Sequence, residues 1–125
     1  MVGTYDGGVI YHIASVGDWE RAQRDGHYST SSRGVSLEEE GFIHASTAAQ
    51  VEGVANRYYA GVTDLVLLVI DEGRLTSELR YDDVPGQPAP YPHIYGPLNV
   101  DAVVEARPFA AGSDGQFRFE PTDAG

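Results

Sequence analysis

The sequence predicts an α+β domain, with a mixed or split β-sheet and two principal helices. Three observations predict it. Short apolar segments rich in β-branched and aromatic residues, "VIYHI", "GFIHAS" and "AVVEARPF", recur along the chain as strands. Two stretches between them carry apolar residues at helical spacing. One run, "LVLLVI", has no polar alternation, which marks a central strand covered on both faces.

In chain order, "GGVIYHI" is the first strand, and its opening glycines are a flexible lead-in. Ser15 is the N-cap of a helix over about 16–24, with Asp18 in the first turn, where the helix dipole favours an acid. Val16, Trp19 and Ala22 mark its buried face, and Gly26 ends it. "HYSTSSRGVSLEEEG" is a polar connection with a helical turn at "SLEEE". "GFIHAS" is the second strand. Thr47 then opens a helix over about 48–59, with Gln50 three residues on in the capping-box pattern. Val51, Val54, Ala55 and Tyr58 form its apolar stripe, and Gly61 stops it. "DEGRLTSELRYDD" reads as a turn and a short strand. The four prolines of "VPGQPAPYP" make an extended loop. "GQFRFE" alternates, as an edge strand does, and "PTDAG" is a tail.

The length of 125 residues suits one domain, with a core over about 9–119 and a tail over about 120–125. Cysteine is absent, which excludes disulfides, thiolate metal sites and thiol nucleophiles. That absence fits a reducing, cytoplasmic setting. The N-terminus does not read as a signal peptide, and the longest apolar run is too short to span a membrane. The formal net charge of −11 disfavours nucleic acid and anionic membrane partners. A small-molecule ligand is the expected partner.

Three of the four histidines sit in apolar, strand-like segments: His12, His44 and His93. Strand alternation puts Phe42, His44 and Ser46 on one face, Ile10 with His12 on another, and His93 with Tyr95 on a third. Each alone reads equally well as a hydrogen-bonded structural residue. Together, flanked by Tyr, Phe and Pro, they suggest a shared pocket. Three imidazoles and a water would also make a catalytic zinc site, but their separations are long and no helical His pair exists. No metal is therefore assigned. Ser46 lacks the glycine-flanked elbow of hydrolases and reads better as a cap or backbone pin. Glu38, Glu39 and Glu40 read as a solvated acidic turn.

"VIYHI", the tryptophan-bearing helix, "EGFIHAS", "QVEGVANRYY", "DLVLLVID" and "PHIYGPLNVDAVV" together resemble a bacterial family, domain of unknown function 952, over about residues 9–109. That family in turn resembles the ADP-ribosyltransferase-like superfold. The resemblance implies a split, mixed sheet that holds NAD in a cleft. It implies a first-strand histidine for the nicotinamide ribose, matched by His12. It also implies a second-strand histidine near the nicotinamide, then a serine and a helix, matched by His44 and Ser46. "FIHASTAAQVEGVANRYY" followed by "DLVLLVID" is similar to the branch that transfers an RNA 2′-phosphate onto NAD. The glutamate that many members carry on a later strand has no match, nor has the arginine that replaces it in the phosphotransferase branch. "YPHIYG" offers His93 or Tyr91 there, and Asp101 and Glu105 lie too far along.

The function implied is NAD or nucleotide binding with ADP-ribosyl- or phosphoryl-transfer chemistry. His12 would bond the ribose, and His44 with Tyr91 or Tyr95 would stack on the nicotinamide. Ser46 would bond the carboxamide or pin its strand, and His93 would act as general acid or base. Three alternatives stay open: a non-catalytic nucleotide- or small-ligand-binding module, a metal-dependent hydrolase using the three histidines, and a purely structural or partner-binding domain.

Overall fold

The computed structural model describes residues 8–120. The expected tail lies outside the described residues except for its first residue, and so does Gly7 of the glycine lead-in. The α+β class holds, and the β-structure is split into several small sheets whose strand pairings are antiparallel.

The first strand, β1 (Val9–Ser15), runs into helix α1 (Val16–Asp25). The Ser15 side chain accepts from the Asp18 N–H, and Gly26 closes the helix at φ 90°. That left-handed conformation suits glycine. Ala22 is buried and Trp19 packs on the core, but Val16 is 38% exposed. Val16 is the first residue of α1, and the chain enters there from the sheet, so its side chain misses the buried stripe.

The polar connection contains more structure than its composition suggests. It forms β2 (His27–Tyr28), β3 (Thr30–Ser32), β4 (Val35–Ser36) and the one-turn helix α2 (Leu37–Glu40). Ser36 and Glu39 close a reciprocal capping box at the start of α2. Glu38, Glu39 and Glu40 are exposed, as expected of a solvated acidic turn.

The "GFIHAS" strand is short. Only β5 (Ile43–His44) pairs as a strand, and Ser46 makes an isolated bridge to Tyr11. Helix α3 (Val51–Tyr58) starts later than expected, after a turn over 48–50. Half of the anticipated capping box exists, since the Gln50 side chain accepts from the Thr47 N–H at 3.0 Å. Val51 and Ala55 are buried, whereas Tyr58 is 65% exposed and Tyr59, the C-cap, takes the buried place.

Strand β6 (Leu65–Asp71) lies between β1 and β10 (Val103–Phe109). Residues 65–70 are all buried, as the unalternating run requires. Its two faces feed two cores. Val66, Leu68 and Ile70 pack with Ile10, Ala14, Ala22, Ile43, Ile94 and Leu98. Leu65, Leu67 and Val69 pack with Tyr11, Ile13, Val51, Ala55, Phe109 and Phe117. Each fully buried aliphatic side chain contributes about 1.5–3 kcal/mol, so this strand carries much of the fold.

A second three-stranded sheet is built from β5, β8 (Tyr91–Tyr95) and β7 (Glu78–Asp82), with β8 in the middle. Strand β9 (Leu98–Asn99) pairs with β2. Gly96, after β8, has φ 150°, and a Cβ there would lie 2.5 Å from Ser77 Oγ. "GQFRFE" is not a strand. Its backbone is held by helix side chains instead. Asn56 accepts from the Phe117 N–H at 2.8 Å and donates to the Phe117 carbonyl at 3.1 Å, while Glu52 accepts from the Phe119 N–H. The alternation buries Phe117 against α3 rather than in a ladder.

Candidate functional site

The two three-stranded sheets meet where β1 touches the chain just after β5. Tyr11 and Ser46 exchange two backbone hydrogen bonds of 2.8 Å. One residue further on the strands separate, and the His12 ring fills the gap. Its Nδ1 lies 2.5 Å from the His44 carbonyl oxygen, and its Nε2 lies 2.8 Å from the Tyr28 hydroxyl. A carbonyl only accepts, so Nδ1 carries the proton and Nε2 accepts from Tyr28. Burial pushes the His12 pKa down to about 4, against an opposing contribution from the His44 carbonyl. His12 is thus a neutral tie across the split.

Strand alternation builds the rest of the site. Across β5, β8 and β7, His44 lies opposite His93, and His93 opposite Arg80, while Tyr91 lies opposite Asp82. Opposed residues share a face, so one face of this sheet carries both histidines, Tyr91, Tyr95, Arg80 and Asp82. The other face sends Ile43, Ile94 and Leu79 to the core.

On the polar face, Asp82 is the hub. Its Oδ2 accepts from His93 Nδ1 at 2.7 Å and from the Tyr95 hydroxyl at 2.5 Å. Those two bonds, Tyr95 first, hold the Asp82 carboxyl below its usual range. Phe42 stacks on the His93 ring at 4.0 Å, and His44 stands edge-on to it at 5.4 Å. The Arg80 guanidinium lies over the Tyr95 ring at 4.6 Å. With Nδ1 committed to Asp82, His93 Nε2 is the nitrogen left free. The His44 side chain is 46% exposed, and burial followed by the neighbouring His93 lowers its pKa.

His44 and His93 open onto a cavity of about 500 Å³, which Asp82 does not line. Five of the six expected site residues line it, namely His12, His44, Ser46, Tyr91 and His93. Tyr95 does not; it supports Asp82 from outside the cavity. The proline-rich loop forms one wall through Val84, Gln87 and Tyr91, with Tyr91 donating to Gln87 at 3.2 Å. Gln50 anchors that loop by donating to the Pro90 carbonyl.

Asp82 is the member of this hydrogen-bonded cluster that sequence reasoning missed. The alternation of Glu78, Arg80 and Asp82 is visible in "ELRYD", but the pairing that sets Asp82 beside His93 crosses the proline loop. Among the described residues, no group of three or more His, Cys, Asp or Glu is placed to hold a metal ion. His12 has also spent both ring nitrogens, so the three-histidine zinc set lacks a ligand.

This fold and site define a small α+β protein with an imidazole-lined cavity at the junction of two sheets. The chain belongs to the family described as protein of unknown function (DUF952), whose model matches residues 13–106. It is similar to protein CC0527 from Caulobacter crescentus. The crystal structure of that protein shares 30% identity and a TM-score of 0.77, covering 88% of this chain and 93% of that one. Its solution NMR structure shares 31% identity with a TM-score of 0.72, covering 86% and 90%. No curated protein matches the chain. No helix among the described residues is long and apolar enough to cross a membrane.

Proposed function

We propose that the cavity binds NAD or a related nucleotide, in an ADP-ribosyltransferase-like arrangement, and that the Asp82–His93 pair serves the transfer of its ribosyl group. The observation that carries this reading is His93, which lines the cavity beside His44 while its Nδ1 is bonded to the Asp82 carboxylate behind it. The volume of about 500 Å³ falls in the range of small-ligand sites. Asp82, acting through His93, would stand in for the later-strand glutamate that many members of the superfold carry and this chain lacks. The bond from the ribose C1′ to the nicotinamide nitrogen breaks, and its electron pair leaves with neutral nicotinamide. An acceptor hydroxyl forms the new bond to C1′ and gives its proton to His93 Nε2. Asp82 stabilises the resulting imidazolium. His44 and Tyr91 supply ring surfaces for the nicotinamide. Since both His12 nitrogens are bonded within the protein, His12 acts by fixing the split rather than by holding the ribose.

The test is nicotinamide release from NAD, with a panel of hydroxyl, amine and phosphate acceptors, across pH. His93→Ala is expected to lower turnover about 10²–10⁴-fold, the usual contribution of a general base. Asp82→Asn should lower turnover at least about tenfold with little change in KM, because the imidazolium forms only as the reaction proceeds. A second reading is a module that binds the nucleotide without chemistry. The engagement of His12 favours it, because the ribose grip is then absent. Binding without turnover on any acceptor selects that reading. No binding of NAD, ADP-ribose or nicotinamide at millimolar concentration removes both.

A further inference from the structure

Arg33 lies between β3 and β4, exposed, and lines the large cavity. It also lines a second cavity of about 280 Å³. The two cavities share Ile13, Ser32, Arg33 and Tyr59 as a common wall. Of the eight basic residues, Arg21, Arg74, Arg80, Arg107 and Arg118 are ion-paired with carboxylates. Arg33 has no ion pair among the described residues, and the other two, Arg24 and Arg57, line neither cavity. The net charge of −11 repels anions, so an anionic ligand needs a local cation. A guanidinium offers a planar fork of donors that matches phosphate. Beyond Arg33, the second cavity presents Asp18 and Asp64 with Ser15 and Thr30. Carboxylates there exclude a phosphate, yet accept hydrogen bonds from hydroxyl or amino groups. Side by side, the two cavities thus present imidazole and tyrosine rings, then the shared arginine, then carboxylates.

We infer that Arg33 anchors the phosphate or diphosphate at the middle of an elongated ligand, whose neutral, hydroxyl- or amino-bearing end occupies the smaller chamber. This rests on the nucleotide reading of the larger cavity and names the part of the ligand that Arg33 selects. Titration calorimetry with ADP, inorganic pyrophosphate and adenosine tests it. Wild type should bind ADP and pyrophosphate, and adenosine much more weakly. Arg33→Gln should weaken ADP binding about 10–100-fold, as loss of a charge-assisted contact does, and leave adenosine unchanged. Arg33→Lys should recover part of the loss. Arg24→Gln, which removes the same charge away from the cavities, should change nothing. Unchanged melting temperature without ligand shows that each variant folds. ADP bound equally by wild type and Arg33→Gln overturns the inference, and so does equal loss in Arg24→Gln or no binding of ADP and pyrophosphate at millimolar concentration. ADP binding through Arg33 without nicotinamide release overturns the transfer reading alone. Turnover of NAD by Arg33→Gln with unchanged KM overturns the Arg33 anchor alone.

Discussion

His12 gives both ring nitrogens to the protein, whereas His93 gives one. Imidazole nitrogen NMR should find a proton on Nδ1 of both; an Nδ1 without a proton at either position contradicts the hydrogen bonding described. His12 also carries a stability consequence. Its folded pKa, about 4, lies below the ordinary value of 6.5. The unfolded chain therefore binds more protons between those values. Stability is fully present above about pH 6.5 and is lost as pH falls through about 4. Lowering pH from 7 to 5 should cost about 2 kcal/mol through this residue. Urea unfolding at the two pH values measures it. His12→Gln, which can still donate to one partner and accept from the other, should lose that part of the dependence; an equal dependence in the variant contradicts the assignment.

The contrast between the histidines was only partly legible in the sequence. Their strand context and shared residue types marked all three as candidates. Nothing local distinguished a tie from a cavity-facing ring, because the partners, the His44 carbonyl, Tyr28 and Asp82, come from other elements.

Among the elements, α1 and β6 were readable because their signals are local: a capping serine, a terminal glycine and an unbroken apolar run. "GQFRFE" misled because alternation reports a two-faced extended chain, not its hydrogen-bond partner. Here Asn56 of α3 supplies the pairing that a neighbouring strand would have made. Asn56→Ala should leave both Phe117 backbone groups without that partner and cost about 1–3 kcal/mol. A urea midpoint unchanged from wild type contradicts this. The short strands β2, β3 and β4 escaped notice because segments of two or three residues carry no period. Gly96→Ala makes a separate case. The new Cβ must displace Ser77, whose hydroxyl donates to the Pro97 carbonyl at 2.6 Å. A left-handed-side φ and a lost hydrogen bond together should cost about 1–3 kcal/mol. Chemical denaturation against wild type reads the loss directly, and no loss shows that the turn relaxes freely.

For the molecule as a whole, the two sheets share one core and, among the described residues, are tied by the Tyr11–Ser46 backbone bridge and the His12 ring, and the cavity opens beside that junction. The chain contains four histidines: His12, His27, His44 and His93. They make one spectroscopic measurement decisive for the ligand site. Imidazole proton–nitrogen NMR spectra recorded while NAD is titrated should show saturable shifts for His44 and His93, which line the cavity. The resonances of His27, exposed in β2 and absent from the cavity wall, should stay fixed. Shifts confined to His27, or none at His44 and His93 up to millimolar NAD, contradict a nucleotide site at the junction.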